Sequence, residues 1–240
     1  MKIFEFETVD SLPALYHPEI DAVVMSDLHL GLEGSATYEG NYVPQFQLDE
    51  IKEDVRSLKK ETDASKIILN GDIKHEFRFT RFSEKTEIKE FVSLLKTLFN
   101  QIKVIRGNHD NYLEEALDGV DLKEKHLEEH VLFTHGHESL NTEQYETLVI
   151  GHEHPALKLE DEIGTTEKVD CFLYGRMRNG EKIIVLPSFS KMAGGSAVNQ
   201  VPQSELLSPV LRNQVDVSSL RAVAVDKEAG LFEFPEISRI

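Results

Sequence analysis

An α/β protein is the fold class this sequence predicts, and three observations predict it. Short apolar runs alternate with amphipathic helical periods through roughly the first 150 residues, the rhythm of strand, helix, strand crossover units. Five runs end the same way: Ala22–Met25 leads to Ser26-Asp27-Leu28-His29, Ile67–Leu69 to Asn70-Gly71-Asp72, and Lys103–Ile105 to Arg106-Gly107-Asn108-His109-Asp110. Val131–Phe133 likewise leads to Thr134-His135-Gly136-His137, and Thr147–Ile150 to Gly151-His152-Glu153-His154-Pro155. Beyond Pro155 the helical periods thin out, and runs at Ala156–Leu159, Val169–Tyr174 and Ile183–Leu186 read as antiparallel strands of a second sheet packed on the first.

Taken in order, two strands are expected first, Lys2–Glu7 and Asp21–Met25, joined by a linker with Pro13 and Pro18. Ser35 to Gln47 carries Gly, Pro and aromatic residues without a period and reads as a loop. Leu48, Ile51, Val55 and Leu58 recur at helical spacing, which predicts a helix over residues 47 to 62. A strand at Lys66–Leu69 follows, then a helix marked by Ile88, Phe91, Val92, Leu95 and Leu98. A short acidic helix around Leu113 and Leu117 precedes the strand at Val131–Phe133. Arg178-Asn179-Gly180-Glu181 supplies a hairpin turn through Asn-Gly, and Arg221–Val225 with Leu231–Phe234 makes a final hairpin. Between them Ser188 to Val210 is loop-like, with Gly194-Gly195, Pro202 and Pro209. It reads equally as a functional loop or a mobile surface loop.

A chain of 240 residues can bury a full core, and one domain over 1–240 is expected, with site motifs in 27–154 and second-sheet strands and hairpins in 156–240. No apolar run of about eighteen residues occurs, and Met1 to Glu7 lacks a basic then apolar signal pattern. The expectation is a soluble, cytoplasmic protein with no membrane partner. Cys171 is the only cysteine, so disulfide frameworks and thiolate clusters are excluded, and metal ligands must be nitrogen and oxygen. A formal charge of −17 argues against a broadly basic nucleic-acid surface, though not against a local positive cleft.

His152 and His154 lie two apart after an apolar run, so in extended backbone both imidazoles reach one shared feature. In an α/β sheet, groups at the carboxyl ends of strands gather around one crevice. Asp27, His29, Asp72, Asn108, His135, His152 and His154 are thereby expected together, with glycines beside them to permit the turns that aim them. Seven donors exceed the needs of one ion. A carboxylate can bridge two, so we assign Asp27, His29 and His154 to one, Asn108, His135 and His152 to the other, and share Asp72. Two divalent ions against two aspartates leave a surplus of positive charge that attracts phosphate and activates water. The mixed imidazole, carboxylate and amide set suits manganese, zinc, iron, nickel or cobalt, with manganese the first expectation.

His109 follows Asn108 directly, and can face substrate and protonate a leaving oxygen, with Asp110 orienting it. The alternative for Asp110 is a helix cap. Lys74, Arg78, Arg81 and Lys85 crowd the segment after Asp72, interleaved with Phe77, Phe79 and Phe82. This composition suits a single-stranded phosphate polymer, with cations for the backbone and rings for the bases, or else the phenylalanines simply anchor a loop. His75 and His137 either contact phosphate or support the donors.

These motifs resemble the calcineurin-like metallophosphoesterases, whose pattern is Asp-x-His, Gly-Asp, Gly-Asn-His-Asp/Glu, a single His and Gly-His-x-His. Asp27-Leu28-His29, Gly71-Asp72, Gly107 to Asp110, His135 and Gly151 to His154 match it in order. The resemblance implies a four-layer α/β/β/α sandwich of two mixed sheets flanked by helices, the metal assignments above, and His109 as general acid. Asp27 to Gly31 with Glu33 behind, and Lys74-His75 after Gly71-Asp72, look like the branch of archaeal stand-alone phosphoesterases and bacterial DNA-ligase-associated nucleases. That branch implies a single-stranded DNA nuclease in repair, with a ligase or helicase as partner. A phosphatase or cyclic-nucleotide phosphodiesterase on small substrates, and a non-catalytic metal-binding scaffold, are the alternatives.

Overall fold

The computed structural model describes the chain except Tyr42, Phe79, residues 141–143, Asp161 and Glu162. Phe79, one of the three phenylalanines singled out above, therefore lies outside the described residues.

The amino terminus differs from the single strand expected there. Phe4 takes a left-handed φ of 54°, which folds β1 (Lys2–Ile3) back on β2 (Phe6–Thr8) as a hairpin. β3 (Leu15–His17) and β4 (Ala22–Met25) continue it antiparallel. α1 (Leu32–Tyr38) occupies part of the stretch read as a loop, because seven residues are too few to display an apolar period. Then come α2 (Gln47–Thr62), β5 (Lys66–Asn70), α3 (Phe82–Leu98) and β6 (Gln101–Ile105). The acidic helix shrinks to one 3-10 turn at Leu113–Glu115. β7 (Leu122–Lys123) and β8 (Lys125–Glu128), too short and polar to read in advance, precede β9 (Val131–Thr134) and β10 (Thr147–Ile150). β11 (Pro155–Glu160), β12 (Thr166–Arg176), β13 (Lys182–Val185), β14 (Ser196–Ala197), α4 (Pro209–Asn213), β15 (Arg221–Asp226) and β16 (Gly230–Glu236) complete the chain.

The first sheet runs β1-β2-β3-β4-β5-β6-β7 and is parallel from β4 onward. The second runs β14-β11-β12-β13-β10-β9-β8, with β15 and β16 joined through β12. Alternation along the strands divides the apolar residues into layers. Val23, Met25, Ile67 and Leu69 face Ile51, Val55, Leu58, Phe91 and Leu95 of α2 and α3. Ala22, Val24, Ile68 and Ile105 face the opposite way, onto Phe133, Val149, Phe172 and Ile184 of the second sheet. The outer face of that sheet, with Leu148, Ile150, Cys171 and Ile183, is covered by Val210 and Leu211 of α4 and by Val217 and Leu220. This is the four-layer sandwich, with α4 and single turns making the thin fourth layer. Among the described residues no helix is long and apolar enough to cross a membrane.

One carboxylate makes stability depend on pH. Glu87, on α3, accepts the Gly31 N–H at 3.0 Å, yet burial pushes its carboxyl up to about 7, with Glu33 and Glu84 adding to the effect. An acid whose folded value is raised retains protons that the unfolded chain has released, so stability falls as pH rises from about 4.5 to about 7. Glu87→Gln is expected to lessen that slope and to be the more stable form at pH 8, by on the order of 1 kcal/mol after solvent screening. Urea midpoints of parent and variant at pH 4.5 and pH 8 measure it, and parallel profiles would contradict it.

Candidate metal centre

The parallel pairing of β4 with β5 does not stop where the strands do. Asp27 N–H donates to Gly71 O, His29 N–H to Asp72 O, Leu30 N–H to Ile73 O and His75 N–H to Leu30 O, at 2.8–3.0 Å. This zipper carries Asp27 and His29 alongside Asp72. Five of the donors, Asp27, His29, Asp72, His152 and His154, hold left-handed backbone with φ of 46–66°. Such geometry is strained for residues with a Cβ and persists only where surrounding contacts enforce it. Here the contacts are the zipper, the Asp27 carboxylate accepting His152 N–H, and Ser196 N–H donating to His154 O at 2.9 Å.

Two donor groups result, each with ligand atoms within 4.8 Å of one another: Asp27, His29 and His154, and Asp72, His135 and His152. A third such group, His29, His75 and His109, adjoins the first. His154 Nε2 is 2.9 Å from Asp27 Oδ1 and 3.3 Å from His29 Nε2, and His135 Nε2 is 3.2 Å from Asp72 Oδ2. Three of the rings are held through their other nitrogen by backbone carbonyls: His154 Nδ1 by Gly194 O at 3.2 Å, His135 Nδ1 by Asn70 O at 3.0 Å, and His109 Nδ1 by His75 O at 2.5 Å. Each bond fixes a tautomer and aims Nε2 into the cluster.

The donor set fits divalent ions of the transition series. Among the described residues, Asn108 Oδ1 is buried without a hydrogen-bond partner, and His135 Nε2 has the ion-pair contact with Asp72 but no well-directed hydrogen bond, an arrangement that a cation would relieve. Burial, partly opposed by Asp27 and Asp72, brings His29 down to about 3, and burial with His135 brings His152 down to about 4, so both are neutral as ligands must be. Burial opposes charge on His135 too, yet Asp72 and Asp27 together push it up to about 9. The field of the two carboxylates therefore favours positive charge at this spot. The ions held there would be two, in the Asp27, His29, His154 group and in the Asp72, His135, His152 group with Asn108 beside it.

Two expectations are corrected. Asp110 does not orient His109. It is fully buried, and its carboxylate accepts Ile73 N–H and Gly107 N–H at 2.9 and 2.8 Å, clamping the two loops that carry Asp72 and Asn108. Burial and then the charge of Asp72 push it up to about 6. The orienting partner of His109 is the His75 carbonyl. Lys74 was expected on substrate phosphate, but it is 0% exposed, with its ammonium on Glu76 O. The zipper explains this, because Lys74 bridges Leu30 and so turns inward. Arg78 remains exposed, and Arg81 sits over the Tyr38 ring at 4.3 Å while bonding Glu76. The His75 ring stacks on His109 at 5.8 Å, and the His137 ring lies 5.4 Å from His135.

Several supports carried no periodic sequence signal, Glu33 having been noted only through the branch resemblance. Ser188 Oγ and Ser190 N–H both donate to Asp27 O, at 2.7 and 3.0 Å, so the stretch read as a loop is a strap behind Asp27. Gln47 Nε2 donates to His29 O at 3.1 Å, and Glu33 caps α2 from outside by accepting Phe46 and Gln47 N–H. Glu153 is buried and accepts Ser208 N–H at 2.8 Å, while Ser208 Oγ donates to Gly136 O, tying the two histidine loops together. The periodic signature used above detects apolar faces, and these polar contacts have none.

Gly107 and Gly151 serve close approach rather than turning. A Cβ at Gly151 would overlap Ser26 Oγ and Asp27 Oδ2, and one at Gly107 would overlap Asp72. Gly151→Ala is expected to lower stability by about 1–3 kcal/mol, the usual range for overpacking, and to displace Asp27. Urea denaturation together with metal titration reads both effects, and a variant that melts and loads as the parent does would contradict the packing argument.

A double histidine and carboxylate cluster at the carboxyl ends of strands, in a two-sheet sandwich, defines a class: the metal-dependent phosphoric ester hydrolases. The chain belongs to the calcineurin-like phosphoesterase family, whose profile matches residues 21–213. Among solved structures, the Pseudomonas putida nuclease MPE is similar in fold at a TM-score of 0.62 and 19% identity, covering 95% of this chain and 93% of that one. The phosphoesterase YfcE of E. coli aligns at a TM-score of 0.44 and 17% identity, over 90% of this chain and 98% of that one. Comparison with curated protein sequences returned no significant match.

Proposed function

We propose that this hydrolase is a phosphodiesterase that cuts single-stranded DNA. One observation carries the reading. Six aromatic rings are exposed among the described residues, Tyr38, Phe46, Phe77, Phe82, Tyr112 and Phe232, and all but Phe232 lie on segments that follow the Asp27, Asp72 and Asn108 loops. Arg78 lies exposed among them, and Arg81 packs over the Tyr38 ring while pairing with Glu76. Rings that stack on bases, interleaved with guanidinium groups that follow phosphates, suit a single strand and serve little purpose for a small monoester. The net charge of −17 is compatible with this only because the cations are local. The fold neighbour called a nuclease accords with the reading.

In this reading the two ions, manganese being the first to test, supply Lewis-acid neutralisation of the phosphate and a water of lowered pKa. The chain's own residues do the rest. His109, its Nδ1–H engaged by the His75 carbonyl, presents Nε2 as the proton carrier for the leaving oxygen. Its backbone N–H donates to Asp72 Oδ1 at 2.9 Å, so the acid is registered to the cluster. Asp110 locks the two loops at that spacing. A repair role in the cytoplasm, beside a ligase or helicase, follows from the branch resemblance.

The test is cleavage of matched single-stranded DNA, double-stranded DNA, RNA and a small aryl diester by manganese-reconstituted protein. Selective cutting of single-stranded DNA is the expected result. Hydrolysis of the aryl diester alone would move the substrate to nucleotide metabolites, and no hydrolysis at all would favour the scaffold reading.

A further inference from the structure

We infer that a pocket of about 400 Å³ between Arg78, Thr80, Lys85, Tyr112 and Glu115 holds the nucleobase on the leaving-group side of the cleaved bond, with Tyr112 as its stacking face. The inference rests on the single-stranded DNA reading and on His109 as the acid.

The pocket is built on the direct continuations of the two segments that carry the acid. Phe77 stands edge-on to the His109 ring at 5.8 Å, and Asn111 Nδ2 donates to Phe77 O at 3.2 Å, which joins the segments and fixes the pocket relative to His109. In the reaction water adds to phosphorus, the bond from phosphorus to the leaving oxygen breaks, and that oxygen takes the proton from His109. The leaving nucleoside must therefore lie on the His109 side, and the pocket is lined by Arg78 and Tyr112, the residues next to the joined Phe77 and Asn111.

Its lining has the groups a nucleotide needs. Tyr112 is 66% exposed and held at a φ of 63°, turned out of the core. Thr80 contributes a buried hydroxyl without a hydrogen-bond partner among the described residues. Lys85 is neutralised by Glu115 at 2.6 Å. The Arg78 guanidinium has no ion pair among the described residues and is the cation left for the next phosphate.

The experiment uses oligonucleotides with one unmodified phosphodiester, the product ends showing which nucleoside leaves. Removing the base on that side is expected to lower kcat/KM about tenfold, the scale of one base stacked on one ring, and removing the base on the other side to have a smaller effect. Tyr112→Ala is expected to lose about tenfold on the intact strand and to be indifferent to the missing base, while Tyr112→Phe restores both properties. Equal sensitivity to the two base deletions, or a Tyr112→Ala enzyme as sensitive as the parent, would overturn the subsite while leaving the nuclease reading in place. Failure of the parent to cut any oligonucleotide, with the aryl diester still hydrolysed, would remove both.

Discussion

Asp72→Asn is expected to release both ions and to lower hydrolysis by at least about a thousandfold, since several kcal/mol of charge stabilisation are at stake and each 1.4 kcal/mol is a factor of ten. Asp72 belongs to the Asp72, His135, His152 group, and we propose that it is shared with the other group. One oxygen lies 3.2 Å from His135 Nε2, the other accepts the His109 N–H, and the His109 Nε2 is 3.9 Å away. An amide can still accept from His109 N–H, so the fold should survive, but it brings no charge for a cation to neutralise. Metal content by mass spectrometry, circular dichroism and turnover on one preparation separate these outcomes. Retention of both ions with parent activity would remove Asp72 from its shared position.

His109→Ala should behave in the opposite way, keeping both ions and losing roughly a hundredfold or more in kcat, the usual scale for a general acid. Its ring is held by the His75 carbonyl and, although it lies near His29, it is a member of neither the Asp27, His29, His154 nor the Asp72, His135, His152 group, so truncation is expected to leave both groups in place. The loss should also depend on the leaving group. A nucleoside alkoxide needs a proton as it departs, whereas a nitrophenolate leaves without one, so the deficit should be far smaller on an aryl diester. Equal losses on both substrates would assign His109 to binding instead of proton transfer.

The convergence of the donors was legible because each apolar run is followed within a few residues by an Asp, His or Asn, although the strands divide between two sheets, β4, β5 and β6 in the first and β9 and β10 in the second. The helix over residues 47 to 62 was equally legible, since Ile51, Val55 and Leu58 face one core. What stayed hidden is polar and non-periodic. Nothing in the composition of Ser188 and Ser190 announces that they grip the Asp27 carbonyl, and nothing in Lys74 announces that a backbone bridge to Leu30 will turn it inward. The left-handed backbone of Asp27, His29, Asp72, His152 and His154 was hidden for a related reason. Local propensity opposes it, and only long-range contacts such as His29 N–H to Asp72 O enforce it. Asp110 shows the same limit, because adjacency to His109 in sequence suggested a partner that the fold employs elsewhere.

Metal stoichiometry tests the central claim most directly. Protein stripped with chelator, reloaded with manganese and freed of excess ion should retain two equivalents per chain, and Gly151→Ala, Asp72→Asn and His109→Ala should rank as the contacts above require. Two equivalents in the parent, falling with Asp72→Asn and held in His109→Ala, is the predicted result. A parent that saturates at one equivalent, or binds none while still hydrolysing diesters, would contradict a two-ion centre.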